Sequence, residues 1–505
     1  MLANKTIVLG VTGGIAAYKA ADLASKLTQG GAKVEVIMTE SATKFVTPLT
    51  FRSLTNRPVV TSMFELASEF SIEHVALAEA ADVVVIAPAT ANIIAKLAAG
   101  MADEMLSCTV LATQAPVIVA PAMHAAMYQN SITQDNLAKL RVRGFTIVGP
   151  AYGRLASGGT GLGRLADVEQ IIGTIKLVLG RKGDLAGKRI VVTAGGTQEA
   201  IDPVRYIGNR SSGKMGYAVA EAARDRGAIV SLITAPTSLP EPVGVAVTCV
   251  ESAVQMKSEV IKAVAQADAL IMAAAVADYQ PKGVAKKKIK KEAAGADLTL
   301  ELVRTPDILT EVKGDFIKVG FAAETEDVVA NAKEKLRKKQ LDIIAANDVT
   351  ALDSGFGADT NRVTLISRDG KEESLPLMSK REVADRILDK VVEMLTPKKV
   401  RARRMHLSQV SRDNVIVELK PAYLKYNRLI IPKAKRELFP DFNKPFELQT
   451  NHGVIKTLAG RSAYKLELRK GLAKWYKANP ELKAGDKVML EVIEPMKKYR
   501  LEIVR

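Results

Sequence analysis

The sequence predicts an α/β protein made of two consecutive parallel-sheet units, followed by a small β-barrel-like domain. Three observations carry this prediction. Apolar, strand-like runs alternate with Ala-rich helical patterns over residues 5–180. The alternation resumes after a polar, glycine-rich joint at Gly180–Lys188. Beyond residue 400 the pattern changes to short strands, hairpin turns and an excess of positive charge.

In the first unit the strands are Lys5–Gly10, Lys33–Met38, Val83–Pro88, Val117–Pro121 and Thr146–Gly149. Helices between consecutive parallel strands must cover both sheet faces. In the second unit the strands are Arg189–Ala194, Ile229–Thr234, Ala269–Ala274, Lys318–Ala322 and Asp342–Ala346. The tail offers Asn414–Leu419, Arg428–Pro432, Phe446–Thr450, Gly453–Leu458, Lys487–Ile493 and Tyr499–Val504, with a helix near Arg469–Ala478. Turns at Asn451–Gly453 and Ala484–Asp486 join its hairpins. The domain boundaries that follow are 1–182, 183–396, a basic linker at 397–412 and a β-rich domain at 413–505.

The 505 residues suit about three domains. Only Cys108 and Cys249 are present, which excludes a disulfide scaffold and fits a reducing, cytoplasmic setting. No apolar run approaches the roughly 20 residues needed to span a bilayer, and Thr6–Gly10 is too short for a signal peptide. Charge is unevenly placed. Residues 401–505 hold 24 Lys/Arg against 11 Asp/Glu, a surplus of 13 that leaves only +4 of the net +17 for the other 400 residues. The same segment holds the sole tryptophan, Trp475. Basic residues interleaved with Tyr423, Tyr426, Tyr464, Trp475 and Tyr476 are the pattern of a surface that holds phosphates and stacks bases, so nucleic acid is a candidate partner.

Two loop systems carry chemistry. Gly10-Val-Thr-Gly-Gly-Ile-Ala-Ala-Tyr-Lys19 joins the first strand to the first helix, and Pro88–Glu104 follows another strand with Thr90 and Asn92 as hydrogen-bonding groups. Ligands bind at the carboxyl ends of strands in open parallel sheets, where such loops gather. The first loop lacks a full dinucleotide fingerprint, so a mononucleotide is the better fit. In the second unit, Val191–Gly216 reads as a strand, a glycine turn, a polar loop and a second glycine loop opening a helix. Arg205, Asn209 and Lys214 add donors there, and the lysine runs Lys286–Lys291 and Lys335–Lys339 follow. A lysine run alone is usually a solvated face. Joining a carboxylate to an amine, however, needs an activated acyl group and cations that hold a triphosphate.

The run Asp202-Pro-Val-Arg-Tyr-Ile-Gly-Asn-Arg-Ser-Ser-Gly-Lys-Met-Gly216 resembles the ligase hallmark of the bifunctional coenzyme A biosynthesis flavoproteins. These fuse a phosphopantothenoylcysteine decarboxylase to a phosphopantothenate–cysteine ligase, and the resemblance covers roughly residues 4–395. It implies a flavodoxin-like FMN domain followed by a Rossmann-like ligase domain. By the same resemblance FMN is held by Gly13, Gly14, Thr39, Thr90, Asn92 and Ser107. His74 matches the family's active-site histidine. His124 stands where the better-known pattern has Asn, and Ser157, on a glycine-rich flap, stands where many members have Cys. In the family the cysteine moiety is oxidised with FMN and loses CO₂ to an enethiol. A flap cysteine then helps return a proton, and a serine hydroxyl is a far weaker acid than a thiol of pKa about 8.5.

For the ligase the resemblance places CTP against Ala273, Ala274, Ala275, Asp278, Lys288, Pro306, Asp307, Ile308, Leu309, Phe321, Lys335 and Lys339. Asn209, with Arg205 nearby, would stabilise an acyl-cytidylate. Magnesium is expected with the triphosphate, its ligands unassigned. The substrates implied are 4′-phosphopantothenate, L-cysteine and CTP, in a homo-oligomer of trimeric decarboxylase and dimeric ligase contacts, together a dodecamer. The tail distantly resembles DNA-binding pseudobarrel domains. The competing reading is a flavin- and nucleotide-binding regulator with an impaired decarboxylase and a nucleic-acid-binding tail. Retained ligase motifs weigh against it.

Overall fold

The computed structural model describes residues 2–63, 73–290, 298–324, 327–348, 357–395, 414–431, 439, 445–462, 465–468, 472–494 and 498–504. It divides into two compact units, Met1–Leu395 and Thr396–Arg505. The expected basic linker at 397–412 and Tyr464 lie outside the described residues.

The first sheet of the larger unit contains β1 (Thr6–Val11), β2 (Lys33–Met38), β3 (Val59–Val60), β4 (Val83–Ala89), β5 (Val117–Pro121) and β6 (Thr146–Ile147). Its order is β3-β2-β1-β4-β5-β6, parallel throughout. Without the two-residue edge strand β3, this is the 2-1-3-4-5 order of flavodoxin-like sheets. Both faces are covered, so β4 is buried along its whole length. The sequence reading missed an antiparallel hairpin, β7 (Ala151–Arg154) with β8 (Thr160–Arg164), because glycines hide its alternation.

The second sheet is larger than the five strands expected. Its order is β13-β12-β9-β14-β17-β18-β20-β21. The strands are β9 (Arg189–Ala194), β12 (Ile229–Thr234), β13 (Ala246–Cys249), β14 (Ala269–Met272), β17 (Ile317–Glu324), β18 (Ile343–Asp348), β20 (Val363–Ser367) and β21 (Glu372–Ser374). Pairing is parallel from β13 to β18, and the last two strands add antiparallel. Three two-stranded ribbons decorate its loops: β10 (Gln198–Ala200) with β11 (Tyr206–Gly208), β15 (Tyr279–Pro281) with β16 (Leu302–Arg304), and β19 (Thr360–Asn361) with β22 (Met378–Ser379). The joint between the sheets is anchored. Leu185 is fully buried and its N–H donates to the Arg226 carbonyl at 3.0 Å.

An ion cluster locks the helices Lys214–Asp225 and Lys380–Leu395 together. Arg224 and Asp225 are 1% and 0% exposed, with Arg224 Nη2 at 2.6 Å from Asp225 Oδ1. Arg381 Nη1 takes the other oxygen at 2.6 Å. Burial alone would lower the Arg381 pKa, but Asp225 holds it above the usual guanidinium value. Asp225→Ala would strand two cations, and we expect it to cost about 3–5 kcal/mol in urea unfolding. A loss under 1 kcal/mol would contradict this (order of magnitude).

The smaller unit is a seven-stranded sheet, not the six strands expected. Its strands are β23 (Asn414–Glu418), β24 (Leu429–Ile431), β25 (Pro445–Thr450), β26 (Gly453–Ser462), β27 (Lys465–Leu468), β28 (Lys487–Glu494) and β29 (Lys498–Val504). The order is β23-β28-β29-β25-β26-β27-β24, antiparallel except for β25 with β29. β27 is the strand the sequence reading missed. Helix Leu472–Ala478 packs Trp475 and Tyr476 into the core. Trp475 Nε1 donates to Asn451 Oδ1 at 3.0 Å, and Asn451 Nδ2 donates to Asn479 Oδ1 at 3.0 Å. The base-stacking expectation is therefore corrected. Tyr423, Trp475 and Tyr476 are buried core residues, and Tyr426 alone of the described tyrosines and tryptophan in that pattern is exposed. Tyr426 lies near Lys425 and Arg428, its ring centroid 5.5 Å from Lys425 Nζ and 5.3 Å from Arg428 Cζ.

Candidate active sites

Each large sheet reverses its strand order at one place, and the expected loops meet there. In the first sheet the reversal lies between β1 and β4. Thr12 Oγ1 donates to the Pro88 carbonyl at 2.7 Å and accepts from the Thr90 N–H at 3.1 Å, which fastens the two loops together. Thr12 was missed because a single hydroxyl beside two glycines has no pattern of its own.

A Cβ on Gly13 would lie 2.3 Å from Ser41 Cβ and 2.8 Å from the Ser41 carbonyl carbon, so the loop runs directly against the turn that begins at Thr39. Thr39 caps helix Glu40–Thr43, accepting from Ala42 N at 3.3 Å. Thr90 caps helix Ala91–Ala99, accepting from Ile93 N at 3.4 Å. Gly14 faces Thr90, and Asn92 is exposed in that helix's first turn. Ser107 is buried in helix Met105–Ala112, whose Leu106 packs over Gly10. These residues form a cradle with helix N-termini and close backbone approach, which fits a phosphorylated flavin.

Helix Glu73–Ala80 carries half-buried His74 and packs against the helix bearing Ser107. His124 caps helix Ala125–Gln129, with Nδ1 accepting from Ala126 N at 3.2 Å. That bond assigns a neutral ring's proton to Nε2. The β7–β8 hairpin is clamped to the same loop, because Met123 N donates to Gly163 O at 3.0 Å. A Cβ on Gly163 would fall 2.2 Å from the Met123 carbonyl oxygen. Ser157 sits exposed in the turn of this flap.

In the second sheet the order reverses between β9 and β14, and a bridge between Gly196 and Ala275 carries the chain past the sheet edge. Two adjoining cavities of about 470 and 430 Å³ open there, sharing Ala274, Val276, Asp278, Phe321 and Lys335. The first is lined further by Met272, Pro306, Asp307, Ile308, Leu309 and Lys339. The second is lined by Asn209, the run Arg210–Gly216, Ala273, Ala275, Asn347, Asn361 and Lys380. Asn209 Nδ2 donates to the Val276 carbonyl at 3.0 Å, which fixes its amide at the cleft wall.

Burial would raise the Asp307 pKa, but Thr310 and Lys339 outweigh it and hold the carboxyl below its ordinary value. Lys339 Nζ is 3.2 Å from Asp307 Oδ1. Lys380 is buried and its amine donates to the Ala358 carbonyl. Burial, then the Lys214 charge, pushes its pKa down. Lys214 in turn pairs with Asp359 at 2.7 Å. Lys380 and Asn361 carried no motif and could not be found from sequence.

Two expected residues stand apart from the cavity walls. Lys288 is exposed in the loop after β15, and Arg205 pairs with buried Asp202 at 3.4 Å; neither lines either cavity. Asp202 explains their position. It accepts from Val204 N at 2.8 Å, Arg205 N at 2.9 Å and Ile289 N at 3.1 Å, tying the hallmark turn to the lysine loop. Burial would raise its pKa, but these backbone donors and Arg205 hold it below the usual value. A carboxyl depressed on folding contributes stability above its unfolded pKa of about 3.9 and loses it as pH falls through the lower folded value. The stability gap between wild type and Asp202→Asn should therefore narrow on acidification below about pH 4. A gap constant from pH 6 to 3 would refute it (approximate limits).

Two family models match the chain: "Flavoprotein" over residues 1–180, and "DNA/pantothenate metabolism flavoprotein C-terminal domain" over 185–395. The coenzyme A biosynthesis bifunctional protein CoaBC of Bacillus subtilis (strain 168) is 48% identical over 400 residues, covering 78% of this chain and 98% of the relative. Its namesake in Vibrio cholerae serotype O1 is 46% identical over 398 residues, 78% of this chain and 99% of the relative.

The chain belongs to the bifunctional coenzyme A biosynthesis proteins.

In this family member the first sheet is the flavin-dependent phosphopantothenoylcysteine decarboxylase half and the second is the phosphopantothenate–cysteine ligase half. Among solved structures, the C-terminal domain of a coenzyme A biosynthesis bifunctional protein CoaBC is 44% identical, covers 42% of this chain and 98% of its own, and has a TM-score of 0.37. A PPC decarboxylase cysteine-to-serine mutant complexed with pantothenoylaminoethenethiol is 32% identical, covers 34% and 97%, and has a TM-score of 0.32. Neither family model extends past residue 395, so the tail is an addition to the matched halves. Among the described residues no helix is long and apolar enough to cross a membrane.

Proposed function

We propose that the cleft of the second sheet activates 4′-phosphopantothenate with CTP and passes the acyl group to L-cysteine. The observation that carries this reading is the meeting of Asn209 and the Arg210–Gly216 run with Ala273–Ala275, Asp278, Phe321 and Lys335 at one strand-order reversal. The substrate carboxylate attacks the α-phosphorus, pyrophosphate leaves, and an acyl-cytidylate forms. The cysteine amine then adds to the acyl carbon and CMP departs with the bonding pair. Lys335 sits between the two cavities, where it can face the polyphosphate, and Asn209 offers its remaining amide N–H to the acyl oxygen.

Among the described residues no three His, Cys, Asp or Glu side chains cluster to hold a metal. Magnesium accordingly enters as the counter-ion of the triphosphate, which is its usual mode. The deciding experiment is pyrophosphate release from CTP. It should require both phosphopantothenate and cysteine, and release without either would defeat the reading.

FMN, when bound, supplies the two-electron chemistry of the decarboxylase half. The loops at Gly13–Gly14, Thr39 and Thr90 would hold it, with helix N-termini turned toward its phosphate. His124 presents Nε2–H as a donor for the substrate carboxylate, and the clamped hairpin brings Ser157 over the same loop. Anaerobic incubation with 4′-phosphopantothenoylcysteine should yield saturated 4′-phosphopantetheine. Accumulation of the enethiol would show that proton return fails at Ser157. Exposed Ile15, Tyr18, Phe45, Leu49 and Tyr152 on this half support a homo-oligomer built through it.

A further inference from the structure

We propose that the Asp307–Lys339 ion pair selects the nucleotide by reading the hydrogen-bonding edge of its base, accepting cytosine and rejecting uracil. This deepens the CTP reading above and rests on it. The two adjoining cavities differ in chemistry. The one holding Asn209 is lined by the polar Arg210–Lys214 run and by Lys380, which suits phosphates and the reacting acyl group. The other has an apolar lining of Met272, Ile308, Leu309 and Phe321, which suits a flat heterocycle. Asp278 and Lys335 belong to both, where the ribose and its phosphates would cross. The base therefore falls in the cavity that contains Asp307 and Lys339.

There the pair presents an acceptor beside a donor. Asp307 caps helix Ile308–Glu311, and its Oδ1 takes the Thr310 N–H at 3.4 Å and Lys339 Nζ at 3.2 Å. Thr310 and Lys339 keep it ionised at neutral pH, so it can only accept. Lys339 is fixed one turn beyond Lys335, with its N–H donating to the Lys335 carbonyl at 3.0 Å, and its ammonium can only donate. Cytosine offers an exocyclic amine beside an unprotonated ring nitrogen, donor then acceptor, which matches acceptor then donor. Uracil reverses both, setting its keto oxygen against the carboxylate and its N–H against the ammonium. Adenine shares cytosine's order, so this pair does not exclude it; the size of the apolar cavity must.

The test uses the full chain and compares kcat/KM for CTP and UTP, read as pyrophosphate release with phosphopantothenate and cysteine present. In Asp307→Asn the amide can rotate to donate or accept. Asn caps helices as well as Asp does, so folding is preserved. Wild type should favour CTP strongly, and the CTP/UTP ratio should fall by about tenfold or more in the variant, the scale of one two-point base contact. An unchanged ratio, with turnover still dependent on CTP, overturns the proposal and leaves the CTP reading standing. If wild type instead turns over ATP and ignores CTP, the CTP reading fails. Edge reading is then judged on ATP against ITP, whose keto group and ring N–H reverse the adenine edge as uracil reverses cytosine's. An ATP/ITP ratio that Asp307→Asn leaves unchanged overturns the proposal there too.

Discussion

Asn209→Ala should form the acyl-cytidylate and then stall. The side chain is anchored at 3.0 Å to the Val276 carbonyl, so its second N–H has a fixed direction at the cleft wall. Activation of the carboxylate depends on phosphate contacts from the lysines and the Arg210–Gly216 run, none of which the substitution touches. Attack by the cysteine amine is different, because negative charge gathers on the acyl oxygen as the tetrahedral adduct forms. Loss of one fixed donor at such an oxygen costs about 10²–10³ in rate. One equivalent of pyrophosphate per site should therefore appear quickly, with amide formation slowed by about that factor and the cytidylate recoverable by acid quench. Steady turnover at the wild-type rate would remove Asn209 from the chemistry.

Gly13→Ala should empty the first half of flavin while sparing the second. A Cβ there meets the backbone of Ser41 as well as its side chain, so no rotamer change relieves the clash. The loop must lift away from the Thr39 turn, and the Thr12 bonds to Pro88 and Thr90 that align the two flavin loops shift with it. Purified variant should lose the yellow flavin absorbance and its decarboxylase activity. Ligase turnover should persist, since its cleft lies on the other sheet. Retention of stoichiometric flavin would show that the loop tolerates the methyl group and that Gly13 is not a close-contact position.

The parts legible in sequence were those that repeat or interrupt a period. Uniformly apolar runs such as Val83–Pro88 could only be buried parallel strands, and glycines at strand ends announced the loops where both sheets reverse their order. The hallmark run named one cleft wall correctly down to Asn209. What failed was whatever depends on partners distant in sequence. Lys380 opens an unremarkable amphipathic helix and enters the cleft only because helix Lys380–Leu395 packs on helix Lys214–Asp225. Lys288 and Arg205 were placed beside CTP, yet buried Asp202 gathers their loops outside the cavity walls. In the tail, aromatic residues among lysines resembled a stacking platform, but a small sheet must fill its core, and Trp475 and Tyr476 do so. Composition does not distinguish an aromatic residue that faces bases from one that faces leucines.

Trp475 has a practical consequence. It is the chain's sole tryptophan, 1% exposed, with its indole N–H bound to Asn451. Intrinsic tryptophan emission from the whole protein therefore originates in the C-terminal domain alone, while flavin colour originates in the first sheet. A single denaturation series followed at both wavelengths gives two separate optical records, one for each. If the C-terminal domain melts independently, the emission will shift red while the flavin remains bound, so the accessory domain can be followed without labels or truncation.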